Sequence, residues 1–292
     1  MNKKQLSIGI VTPVRNEEEM LPKLAACILS QTLLPDRWLI VDDGSSDSTS
    51  KVIEDLKNKY SWIDSITLPD RGHYSRGAGS YSTAAKGFEY MISSDIHVFG
   101  IFDADISFKT TTIKHILDAF LNSEKLGIYG GEIVEMKGND WVSPMGLPED
   151  FVRGACKFFR GECYLDIGGI KLGKSSNVIS NMEALMHGWI VKRDMNLLIK
   201  HHRSGGSRDS FVQKYTKAGT ETAYIGSDPL LTLVRGLRKM ITSKPYFIGG
   251  CIFLITYFNS AFLHKNQYKN KELLKFVRNH HRNILLRGFY KW

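Results

Sequence analysis

Asp103-Ala104-Asp105 closes the apolar run Ile96-His97-Val98-Phe99-Gly100-Ile101-Phe102. A short apolar segment that ends in two carboxylates one residue apart reads as a buried strand delivering acids to its C-terminal end. In open α/β sheets that edge is where ligands bind. Carboxylates in this spacing suit a hard divalent cation, and a cation held there suits a diphosphate. Two other clusters, Thr12-Pro13-Val14-Arg15-Asn16-Glu17 and Asp42-Asp43-Gly44-Ser45, also follow short apolar runs. Between the second cluster and the third lies Arg71-Gly72-His73-Tyr74-Ser75-Arg76-Gly77-Ala78-Gly79. Its glycines allow close backbone approach, and Arg76 offers a fork for a phosphate. His201-His202-Arg203 is a late cluster that either faces a diphosphate or is plain surface.

These clusters act together only if the elements before them share one sheet. Residues 6–11, 38–41, 62–68, 96–102 and 127–134 read as strands, with a last one at 196–202. Helical spacing covers 17–30, about 47–60 with Ser46 or Asp47 as cap, 80–92 and 110–122, with a short helix at 182–186. This alternation predicts βαβ units, hence a Rossmann-like, mainly parallel sheet flanked by helices with the polar clusters converging on one edge. Glycine and proline gather in residues 138–174, an irregular stretch suited to closing over a ligand.

The 292 residues are 42% hydrophobic and 24% charged, as in ordinary globular proteins. The net charge of +9 is unevenly spread. Residues 1–185 hold 20 Lys+Arg and 25 Asp+Glu, whereas residues 186–292 hold 19 and 5. A basic C-terminal third favours anionic lipid head groups or polyphosphates. Nucleic acid is not expected, because no recognised binding motif accompanies the charge and the first half is acidic. Four scattered cysteines and a start without a signal-like apolar region predict a reduced, cytoplasmic protein. Residues 245–263 carry no formal charge. They read as a transmembrane helix, an interface-lying or re-entrant helix, or a buried core helix. Residues 278–287 follow as a basic amphipathic stretch suited to an anionic surface.

The motifs resemble those of the family 2 glycosyltransferases, which have the GT-A fold. The matching residues are Ile10 to Glu17, Leu39 to Asp47, Arg76 with Gly79, Phe102 to Asp105, and Asp166-Ile167-Gly168-Gly169. The resemblance divides the chain into a GT-A domain at 1–205 and a helical, basic, partly hydrophobic extension at 206–292. It implies that Thr12, Pro13, Asn16, Glu17, Asp42 and Asp43 line a nucleotide pocket, and that Arg76 and Asp103 contact a nucleotide sugar. It further implies that Asp105 ligates Mg²⁺ or Mn²⁺, with His201 or His202 near the metal; His202 is the ligand put forward.

One departure matters. Where inverting members carry an acidic base, this chain has Asn177, and an amide cannot take a proton. Either the acceptor arrives ionised, as a polyprenyl phosphate does, or Glu183 or Asp166 supplies the acid, or the domain has lost activity. The expected function is transfer of a sugar from a nucleotide-diphosphate sugar to a lipid-linked or saccharide acceptor. It is inverting and metal-dependent, in cell-envelope or glycoconjugate biosynthesis, at or anchored in the inner face of the cell membrane. The alternative is a catalytically silent GT-A domain that binds a nucleotide or a membrane within an assembly complex. A P-loop at Lys174-Ser175-Ser176 and a dinucleotide fingerprint after the first strand are both excluded by spacing.

Overall fold

The computed structural model describes residues 6–70, 78–143, 148–203, 210–242, 244–263 and 267–289. The chain separates into two compact units, Met1–Ser204 and Gly205–Trp292.

The first unit begins with β1 (Ile8–Val14), α1 (Leu21–Leu29), β2 (Arg37–Asp42), α2 (Thr49–Lys59), β3 (Ile63–Thr67), α3 (Ala78–Ser93) and β4 (Val98–Phe102). It continues through β5 (Ile106–Phe108), α4 (Thr112–Leu121), β6 (Leu126–Lys137) and β7 (Asp140–Val142). It closes with β8 (Cys156–Arg160), α5 (Gly161–Asp166), α6 (Ser176–Met186) and β9 (Ile190–His201). The sheet order is β3-β2-β1-β4-β8-β6-β9-β5, with β7 on β6. Strands β3, β2, β1 and β4 are parallel, β8 runs against β4 and β6, and β9 returns parallel to β6. The expected α/β sheet is therefore present and mostly parallel, with antiparallel β8 placed in its middle.

The two-residue period of the strands divides the core between the two faces of the sheet. Trp38 and Ile40 of β2 join a cluster with Leu24, Ile28, Ile53, Ile116 and Phe120, so α1, α2 and α4 cover that face. Leu39 and Val41 join Phe88, Met91, Tyr164 and Ala184, so α3, α5 and α6 cover the other. Continuous apolar runs in β1, β2 and β4 follow from burial on both faces.

Some elements extend further than their sequence suggests. β9 starts at Ile190 rather than near 196 because buried Val191 and Arg193 alternate with exposed Ile190 and Lys192. α6 starts at Ser176 rather than 182, since Ser176, Ser180 and Asn181 are buried by polar contacts that hydrophobic spacing does not reveal. α2 starts at Thr49, and the Asp47 carboxylate accepts from the Thr49 amide at 3.0 Å.

The second unit is helical: α7 (Phe211–Tyr224), α8 (Pro229–Thr242), α9 (Ile248–Phe262) and α10 (Lys271–Phe289). Asp228 accepts from the Leu230 and Leu231 amides at 3.0 and 3.2 Å, and its second oxygen accepts from Arg282 Nε at 2.8 Å, tying α10 to the start of α8. Helix α9 packs between α7 and α8 through glycine, and a Cβ on Gly236 would meet Leu254 Cδ2 at 2.4 Å. No helix of the described residues is long and apolar enough to cross a membrane, and within residues 245–263 the helix α9 is 15 residues long.

Candidate active site

The Asp103–Asp105 turn is fixed from both sides. Asp103 N donates to Ala155 O at 3.1 Å next to β8. β5 follows at once and pairs antiparallel with the end of β9, bringing Ile106 opposite His201. The His202 amide then donates to Asp105 O at 2.9 Å. His201 Nε2 lies 3.1 Å from Asp105 Oδ1. One ligand atom from each of Asp103, Asp105 and His201 falls within 4.8 Å of the others. Arg203 completes the cluster: its Nε donates to Asp105 Oδ2 at 2.9 Å, and Nη2 donates to the Glu17 oxygens at 2.5 and 2.6 Å.

The electrostatics show a site built for positive charge. Burial, with Asp105 alongside, pushes the Asp103 carboxyl up to about 6. Burial acts the same way on Asp105, but the hydrogen bonds and charges of His201 and Arg203 outweigh it and hold Asp105 below the usual carboxylate range. Burial opposes charge on His201, yet its pairing with Asp105 and then the nearby Glu135 carboxylate raise it to about 9. Glu135 is held down to about 2, first by His201 and also by Arg153, whose Nη2 lies 2.5 Å away. Two carboxylates and an imidazole form an O,O,N donor set that fits Mn²⁺ or Mg²⁺. Imidazolium and guanidinium neutralise these carboxylates in the absence of a metal ion.

The histidine in this group is His201, not the expected His202. Successive strand residues point to opposite faces, and with His201 turned to Asp105, His202 goes elsewhere. Its Nε2 lies 2.8 Å from Ser107 Oγ and its ring meets Trp141 edge-on at 5.4 Å.

The residues expected around a nucleotide divide into two groups. Asp42 and Asp43, at the end of β2, are 2% and 7% exposed. Asp42 Oδ1 accepts from Ser45 N at 2.9 Å and Ser45 Oγ at 2.6 Å, closing the turn. Gly44 there has φ +72°, and a Cβ would come within 2.6 Å of the Asp70 backbone, so only glycine fits. Asn16, itself left-handed at φ 55°, accepts from the Ser46 amide at 2.8 Å, so the first two clusters brace each other. Glu17 reaches the third cluster through Arg203, and burial raises its carboxyl against that pairing. Thr12 instead serves the core: fully buried, it accepts from Trp38 Nε1 at 2.9 Å. Pro13 follows it in β1, half-buried. Arg76 lies outside the described residues.

A second polar cluster flanks Asp103. The Tyr81 hydroxyl, raised by burial and then by the Asp103 charge, donates to Asn177 Oδ1 at 2.9 Å. Lys157 Nζ, fully buried on β8, donates to Asn177 O and Oδ1 at 3.0 Å each and to Ser180 Oγ at 2.7 Å. Glu183 is buried on α6, 4% exposed. Asp166, exposed at the end of α5, accepts from Trp189 Nε1 at 3.0 Å. Tyr81, Glu135 and Lys157 have no distinguishing signal in the sequence. The choice of His201 over His202 follows once the register of β9 is known.

Residues 9–149 match the family described as Glycosyl transferase family 2. Over 125 residues the chain is 32% identical to the 4,4'-diaponeurosporenoate glycosyltransferase of Staphylococcus haemolyticus, covering 43% of this chain and 30% of that protein. Over 134 residues it is 25% identical to the O-antigen chain rhamnosyltransferase RfbN of Salmonella typhimurium, covering 46% and 40%. The chain thus spans less than half the length of these relatives. Among solved structures, S. aureus TarS superposes with a TM-score of 0.54 at 14% identity, covering 88% of this chain and 44% of that one. The mannosyltransferase PcManGT from Pyrobaculum calidifontis, in complex with GDP-Man and Mn²⁺, gives 0.54 at 13% identity, covering 94% and 73%. These superpositions establish a shared fold, the GT-A fold expected from the motifs.

Proposed function

We propose, from the match of residues 9–149 to the family described as Glycosyl transferase family 2, that the chain transfers a sugar from a nucleotide-diphosphate sugar to a lipid-linked or saccharide acceptor. The setting is cell-envelope polysaccharide or glycoconjugate synthesis. The observation that carries this reading is the convergence of Asp103, Asp105 and His201 within 4.8 Å at the end of β4. When bound there, a divalent cation neutralises charge that grows on the departing diphosphate. Asp103, Asp105 and His201 hold it. Arg203, whose guanidinium sits on Asp105 and Glu17, is placed to swing onto a phosphate oxygen. Asp42 and Asp43 accept from the nucleoside, with Asn16 and Glu17 bracing the same edge, and Arg76 adds charge to the phosphate side.

Transfer proceeds with inversion on this reading. Asn177 offers no proton acceptor, which favours an acceptor that arrives ionised, such as a lipid phosphate; Glu183 and Asp166 are the carboxylates to test as bases for a hydroxyl. The same amide favours a second reading, a GT-A domain that binds nucleotide or membrane without turnover. The excess of 15 Lys+Arg over 4 Asp+Glu in residues 205–292 supports work at an anionic membrane, on its cytoplasmic side.

The test is binding and hydrolysis of UDP-, GDP- and dTDP-sugars with Mn²⁺ or Mg²⁺, for wild type and Asp105→Ala. Metal-dependent hydrolysis of one donor, lost in the variant, supports the transferase. Binding without turnover, even after polyprenyl phosphate is added, supports the silent domain. Failure to bind any donor overturns the transferase and the nucleotide-binding form of the silent domain.

A further inference from the structure

We infer that α8 and α9 dock the chain on an anionic lipid surface through one outward apolar face of each helix. This inference rests on the membrane part of the function proposed above and names the surface responsible. On α8, Leu230, Leu233, Val234, Leu237 and Ile241 are 38–73% exposed. Their spacing puts them on one side of the helix. On α9, Cys251, Ile255, Phe258 and Phe262 repeat at the same helical interval and are exposed, Phe262 to 86%. The turn between the helices adds exposed Tyr246 and Phe247. A helix in water normally turns polar residues outward, and exposed apolar residues repeated along one side of each helix mark an interaction site.

The helices have already met their packing needs on other faces. Gly249, Gly250, Phe253 and Tyr257 of α9 are buried, with Gly249 against Tyr215 and Gly250 against Met240. The outward apolar faces are therefore surplus to this unit's own core.

Charge identifies what covers them. Residues 229–263 contain no Asp or Glu, and of their four cations Arg238 and Lys244 are exposed beside these faces, while Arg235 and Lys239 are partly buried. Apolar side chains edged by cations without acids match the boundary between acyl chains and anionic head groups. A second copy of the chain would bring the same uncompensated cations against each other. The depth is limited by length: α9 has 15 residues, about 22 Å of helix against a hydrocarbon core of roughly 30 Å. It lies along the boundary and does not cross it.

The test uses the full chain and flotation with vesicles of phosphatidylcholine alone or mixed with phosphatidylglycerol. Wild type is expected to float with the anionic vesicles and to lose that binding with phosphatidylcholine alone. Leu237→Glu combined with Ile255→Glu is expected to weaken binding at least about tenfold. These sites are exposed, and an unchanged circular dichroism spectrum checks the fold. In Phe262→Trp, bromine-labelled acyl chains are expected to quench the new indole, which attachment by charge alone would not produce. The inference is overturned if wild type ignores anionic vesicles, if the double variant binds as well as wild type, or if the indole is not quenched. It is also overturned if light scattering shows wild type as a dimer that the double variant breaks, because a second copy then covers the face. Donor hydrolysis on the same preparations separates the two readings. A chain that binds vesicles but cleaves no donor leaves the docking surface standing and the transferase fallen, and the reverse result does the opposite.

Discussion

Lys157 Nζ, fully buried, lies 3.0 Å from both the main-chain and the side-chain oxygen of Asn177. Three oxygens, counting Ser180 Oγ, meet the three donors of an ammonium. Burial still lowers the Lys157 pKa well below the ordinary lysine value. An unfolded chain keeps its lysine protons up to about pH 10.4. Between the lowered folded value and that point the unfolded state binds more protons, so this group makes stability rise with pH. Urea unfolding from pH 7 to 10 is expected to show Lys157→Met most favoured relative to wild type at the low end, with its advantage shrinking as pH rises. A constant difference across that range would show that Lys157 keeps its proton when folded.

Asp105 accepts from His201 and from Arg203 with different oxygens. Asp105→Asn removes the charge and keeps the shape. Calorimetric titration with Mn²⁺ is expected to show affinity falling at least about tenfold, since a carboxylate is the hard anionic ligand the ion requires. Retained affinity would move the ion site away from the Asp103–Asp105 turn.

Arg203 competes with any cation for Asp105. Removing a like charge from an ion site favours the ion. Arg203→Ala is expected to tighten Mn²⁺ binding about threefold or more in the absence of nucleotide. In the same variant nucleoside diphosphate binding is expected to weaken, because the phosphate loses its guanidinium. If both affinities fall, Arg203 is a structural clamp between Glu17 and Asp105.

Asp166 is bonded to the Trp189 indole at 3.0 Å. Asp166→Asn keeps an acceptor for that bond, so activity within about twofold of wild type is expected if the residue only positions Trp189, with Asp166→Ala costing about 0.5–1.5 kcal/mol of stability. A loss of a hundredfold or more in Asp166→Asn, at unchanged stability, would instead identify Asp166 as the base.

The centre of the parallel half of the sheet was readable because β1, β2 and β4 are buried on both faces and each ends in a polar cluster. The run from Val98 to Phe102 is buried at every position, and the acids follow it directly. The second half follows other rules. β8 is a short strand, and its second residue, Lys157, is fully buried, which no hydrophobic pattern would suggest. β9 hides in a polar alternation, and its register decides which of two adjacent histidines turns to Asp105. Thr12 shows the converse limit. Its place in the motif suggests a pocket, but a hydroxyl buried beneath a tryptophan is taken by the indole N–H.

The pairing of β5 with β9 has a consequence for how the protein comes into being. Synthesis runs from the N-terminus and domains fold as units during it. β1 to β4 can assemble once residue 102 has emerged, but His201 and Arg203 reach Asp105 only when β9 docks on β5. Until then two adjacent acids stand at a growing sheet edge without their counter-charges. The nascent chain therefore carries Asp103 and Asp105 without their counter-charges until β9, the last strand among the described residues, brings the imidazole and guanidinium that neutralise them.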